Sequence, residues 1–112
     1  MTEENIRAAV MRILRAAGLP AGYMANRIIA EAVVQFRRDP SALYGNWCGG
    51  LCEQTARTLG VTKATVLGRI SRAIEFCREL DGCKRLNELI GFEQGRLRPR
   101  ELIARLAEVI DA

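Results

Sequence analysis

Apolar residues in this chain recur three and four positions apart from Ile6 to Ile110, and no stretch alternates apolar and polar residues long enough to make a strand. That period places them on one face of a helix. Breakers cut the pattern into short lengths, so the chain must fold as several helices packed on one another. Thr2 can cap a first helix, with Glu3 and Glu4 in its first turn and Ile6, Ala9, Val10, Ile13, Leu14 and Ala17 on its apolar face. Gly18 and Pro20 end it. A second helix is expected from about Gly22 to Arg38, striped by Ile28, Ile29, Ala32, Val33 and Phe36. Asp39-Pro40 closes it and is expected to open a short helical turn, the third helical element, through Leu43. Tyr44 to Trp47 reads as a loop with aromatic anchors. A fourth helix is expected over Gly50 to Leu59, stopped by Gly60. A fifth runs from its cap Thr62 to about Leu80, with a turn at Asp81-Gly82. A short helix follows over Lys84 to Ile90, then a loop from Gly91 to Arg98. Pro99 starts a last helix carrying Leu102, Ile103, Leu106, Val109 and Ile110. The expectation is one all-α domain, a bundle of about six helices spanning 1–112.

Composition narrows the function classes. The chain has 112 residues, a net charge of +4 and no histidine, so metal and acid–base sites lose their commonest ligand. There is neither a paired-carboxylate setting nor a glycine-rich phosphate loop, so no enzyme and no cofactor is expected. Cys48, Cys52, Cys77 and Cys83 lack the spacing of a zinc knuckle and read as small buried residues in a reduced, cytoplasmic setting. No apolar run approaches the roughly 20 residues of a membrane span.

The charge is also unevenly placed. Arg57, Lys63, Arg69 and Arg72 lie in a stretch without a single acid, and Arg96, Arg98 and Arg100 form a second acid-free cluster. Such runs are commonly solvated faces. Here the first coincides with the pattern of a helix-turn-helix, between about Leu51 and Leu80. Ala56 is the small residue at the helix crossing. Gly60 follows four positions later as the turn residue, and Leu59, Val61, Val66 and Ile70 form the apolar wedge. The run from Cys52 to Ser71 resembles the helix-turn-helix of the phage lambda Cro and Lac-type repressors. A helical hairpin with a glycine turn would share much of this pattern.

On the helix-turn-helix reading, the residues facing bases are Thr62, Lys63, Ala64, Thr65, Leu67, Gly68 and Ser71. Arg57, Arg69 and Arg72 are expected on phosphates, with Arg96, Arg98 and Arg100 as a second clamp. The reading face is weakly polar, without Arg, Asn or Gln for bidentate base contact.

Most of the chain, about Ile6 to Ile110, resembles a known family. The residues that carry the likeness include Ile13-Leu14, Gly18-Leu19-Pro20-Ala21, Glu31-Ala32-Val33, Asp39, Leu43, Thr62, Val66, Ile70, Ala73-Ile74-Glu75, Leu89-Ile90-Gly91-Phe92, Pro99 and Glu101-Leu102-Ile103-Ala104. They are similar to the C-terminal effector domain of the sporulation initiation response regulator (the stage zero sporulation protein A family). One extra residue falls near Gly49, and the loop before Pro99 is shorter. The resemblance implies a transcription regulator whose helix-turn-helix reads a short operator in double-stranded DNA, often as tandem dimers.

Three departures qualify what can be carried over. The family has Arg, Glu, Arg and Arg at the positions of Thr65, Leu67, Gly68 and Ser71, so its operator does not transfer. Its Thr-Asn after the loop proline is replaced by Arg100-Glu101. Its phosphoacceptor receiver has no counterpart, so the chain is expected to be either an excised domain or a free-standing paralogue. The alternative function is a protein-interaction module of the same fold, binding a partner regulator or itself through Leu67 and Gly68.

Overall fold

A computed structural model of the protein describes residues 1–41, 47–93 and 95–111. The first helix, α1, spans Glu3–Ala16. Thr2 caps it, its hydroxyl accepting the Asn5 N–H at 3.1 Å. Ile6, Val10 and Leu14 form its buried face, continued by Ala17. The chain then reverses at Gly18 and Leu19.

The second helix, α2, spans Met24–Arg38. It starts two residues later than expected because the Pro20 carbonyl accepts the Tyr23 N–H at 3.1 Å, closing a turn over Ala21 and Gly22. The Asn26 amide, itself fully buried, donates to the same carbonyl at 2.9 Å. Ile28, Ile29, Ala32 and Val33 of the expected stripe are inside and Phe36 packs half-buried against them, but Ala25, Ala30 and Val34 are also buried, and with them the polar Asn26, Glu31 and Gln35. This helix is the centre of the bundle and other helices pack around it. Leu43, and with it the expected turn after Pro40, lies outside the described residues, as do Tyr44 to Asn46.

Trp47 is not in a loop. It opens a π-helical turn, Trp47–Cys52, which leads directly into α3, Glu53–Leu59. The single helix expected from Gly50 is therefore two pieces. A π turn closes over one more residue than an α turn.

Helix α4 spans Lys63–Asp81 and is capped by Thr62, whose hydroxyl accepts the Thr65 N–H at 3.1 Å. It ends with paired bonds from the Gly82 and Cys83 N–H groups to the Arg78 and Cys77 carbonyls, at 2.8 and 3.1 Å. Helix α5 spans Lys84–Ile90, as expected. Helix α6 spans Pro99–Val109, where Pro99 occupies the first position and the Glu101 carboxylate accepts the Arg98 N–H at 3.1 Å. Leu102, Ile103, Leu106 and Ile110 face the core. The described residues contain no strand. The radius of gyration, 12.7 Å, is close to the roughly 13 Å of a single domain of this length. The molecule is an all-α bundle.

Candidate nucleic-acid interface

Helices α3 and α4 pack on each other across a three-residue connection, Gly60 to Thr62. Gly60 sits in the left-handed region at φ 69°, where a side chain is strained. A Cβ there would meet nothing within 4 Å, so glycine is needed for the backbone and not for space. The Val61 N–H donates to the Ala56 carbonyl at 3.0 Å, which fixes the exit angle. Ala56, Val66 and Ile70 are buried, and Leu59 and Val61 pack against the core beside them. Of the five residues read from the sequence as holding this corner, three are buried and two, Leu59 and Val61, are half-buried.

The outer side of α4 carries the expected reading residues. Thr62, Lys63, Ala64, Gly68 and Ser71 are exposed, and Thr65 is half-buried. The Thr62 and Thr65 hydroxyls bond to each other at 2.9 Å, so one of the two donors is already used. Leu67 departs from the expectation of an outward residue. It is half-buried and packs against the core, because it lies one position from Val66 and three from Ile70. Ala64, Thr65, Gly68, Arg69 and Arg72 line one shallow hollow of about 290 Å³, and a Cβ on Gly68 would meet nothing within 4 Å.

The cations divide into two groups. Glu53, at the start of α3, reaches both Arg57 and Lys63 at 3.8 Å. The stretch that is free of acids in sequence is therefore not free of them in space. By contrast Arg69, Arg72, Arg96, Arg98 and Arg100 have no ion pair among the described residues. Arg12, Arg15, Arg27 and Lys84 are likewise without one, but none of them lines a hollow beside α4 or the start of α6. The second cluster lies alongside the first. Arg96 and Arg98 line a groove of about 200 Å³ shared with Ser71 of α4, which Glu75 and its ion-paired partner Arg78 also border. On the other side the same two arginines line a cavity with Trp47 and Arg100, whose guanidinium lies 5.9 Å from the Trp47 ring centroid.

Sequence reasoning missed Glu53 as a counter-charge and Trp47 as the seat of Arg100. The Glu53 signal was present, since Arg57 stands four residues after it on the same helix face. Cys52, Cys77 and Cys83 are buried. Burial pushes the Cys77 thiol up to about 11, with the neighbouring Cys83 adding to the shift. A thiol so protonated is a poor ligand and nucleophile at neutral pH. No group of three or more metal-ligating side chains is assembled among the described residues, and no helix there is long and apolar enough to cross a membrane.

No protein-family model, no curated protein and no solved structure matches the chain.

Proposed function

We propose that the chain binds double-stranded DNA as a transcription regulator, with α3 and α4 acting as a helix-turn-helix and α4 entering the major groove. The observation that carries this reading is the row of uncompensated arginines on one side of the molecule. Arg69 and Arg72 lie on α4, Arg96 and Arg98 border a groove shared with it, and Arg100 lines the adjoining cavity with them. Unpaired guanidinium groups at that density are an electrostatic footprint for a polyanion. The sharp corner at Gly60, which leaves the start of α4 exposed, supports the groove assignment. Thr62, Lys63, Ala64, Thr65, Gly68 and Ser71 would face bases, and specificity would come from modest contacts and duplex shape.

The reading as a protein-interaction module of the same fold rests on Leu67 and Gly68. Leu67 packs toward the core, which leaves that face little apolar surface to bury on a partner.

Binding to mixed genomic duplexes across a salt series tests the proposal. About four to six phosphate contacts give a log–log slope of about −4 to −5. Arg72→Ala is expected to weaken binding to all sequences alike and to reduce the slope by about one. Arg57→Ala should do less, because Glu53 already compensates that charge in part. Affinity that stays flat from low to physiological salt removes DNA as the partner. Where affinity follows the expected slope, selection of binding sites from genomic fragments defines the operator.

A further inference from the structure

A cavity of about 540 Å³ opens between Trp47 and the start of α6, lined by Trp47, Arg96, Arg98, Pro99, Arg100 and Glu101 among others. Its volume falls in the range of small-molecule sites, about 300–1,000 Å³, and is more than a bare phosphate fills. Three arginines and one carboxylate stand among its lining residues. That carboxylate, Glu101, is held by the Arg98 N–H at 3.1 Å, and none of the three arginines has an ion pair among the described residues. The positive end of the 11-residue helix α6 lies at the same place. Trp47 lines the same cavity and is half-buried, and the Arg100 guanidinium lies 5.9 Å from its ring centroid, within reach of a cation–π contact. Guanidinium forks beside an aromatic ring suit one chemical class: a phosphate attached to a planar ring.

We propose that this cavity binds a nucleotide, with its phosphates on Arg96 and Arg98 and its base against the Trp47–Arg100 pair. The inference stands independently of the duplex reading. The two are linked only because Arg96 and Arg98 also line the groove bordering α4, so that a bound nucleotide would neutralise part of that face.

Trp47 is the chain's single tryptophan, so its emission reports this cavity alone. The test titrates adenosine triphosphate into the whole chain at low salt, following Trp47 emission and heat of binding, with adenosine and inorganic pyrophosphate as separate arms. Saturable binding of the triphosphate is expected, at least about tenfold tighter than either arm. Arg96→Ala and Arg98→Ala should each weaken it by about tenfold, the scale of one charge-assisted contact. Arg57→Ala and Arg69→Ala, which lie outside the cavity, should leave it unchanged. Circular dichroism confirms that each variant is folded. The proposal is overturned by the absence of saturable binding, by pyrophosphate binding as tightly as the triphosphate, or by all four arginine variants weakening it equally. Persistence of nucleotide binding in a chain that fails to bind duplexes would remove the DNA reading and leave this one.

Discussion

Gly68 lies inside α4 with its outer side open, and a methyl group there would meet nothing. Glycine in a helix interior is less stable than alanine by roughly 0.5–1 kcal/mol, because it loses more freedom on folding. Gly68→Ala is therefore expected to raise the thermal midpoint by a few degrees, as read by calorimetry. If α4 enters a groove, the same methyl group meets the duplex and affinity falls by about tenfold, about 1.4 kcal/mol. Duplex affinity unchanged in both Gly68→Ala and Gly68→Arg would withdraw the outer face of α4 as the reading surface. Cys83 is the contrasting residue. It adopts φ 64° without being glycine, and its side chain is buried where the end of α4 turns into α5. There packing outweighs a backbone cost of about 1–2 kcal/mol.

At the scale of elements, α2 is held by charge as well as by apolar packing. Glu31 is 3% exposed in the middle of the helix. Arg7 of α1 reaches its two carboxylate oxygens at 2.8 and 3.3 Å. Gln35 donates to Glu31 at 3.2 Å and to Thr58 of α3 at 3.3 Å, so one polar chain ties three helices. Removing the cation from such a pair leaves a buried carboxylate uncompensated, at a cost of about 3–5 kcal/mol. Arg7→Met is expected to destabilise on that scale in urea titration, discounted toward its lower end because the Arg7 side chain is 32% exposed. The double variant Arg7→Met/Glu31→Leu should recover most of the loss. A double variant no more stable than Arg7→Met alone would show that shape, and not charge, holds this joint.

For the whole molecule, ion pairs join the ends of distant elements. Arg38, the last residue of α2, holds Glu3 at the start of α1 through two bonds of 2.6 Å. This hydrogen-bonded pairing lowers the Glu3 carboxyl from its usual 4.5. Burial works against the charge of Asp81, but the bonds it receives from Arg85 outweigh that and lower its carboxyl as well. A carboxyl lowered in the folded state contributes stability above its unfolded value, and loses it as pH falls through the folded value. The melting temperature is expected to decline as pH drops below the usual carboxylate range. Glu3→Gln should give a shallower decline on that acid side and little change in slope near neutrality. Parallel acid limbs in the two proteins would show that the Glu3–Arg38 pair does not couple folding to protons.

The sequence by itself determined where most helices begin and end. Thr2, Thr62 and Pro99 act through their own backbone neighbours, and a cap or a breaker needs no knowledge of the rest of the chain. It also determined the wedge around Gly60, since a positive φ flanked by apolar residues at helical spacing is a local property. Only the tertiary structure decided the rest. Glu31 and Gln35 stand outside the apolar stripe read from the sequence, but α1 and α3 cover them, and a residue's burial depends on what packs over it. The widened turn at Trp47–Cys52 has no propensity signature of its own. Arg96 and Arg98 come to lie beside Ser71, some 25 residues earlier in the chain, and Glu53 spans the corner to Lys63. Charge pairing acts across space, so which cations remain uncompensated is settled only when the helices are packed.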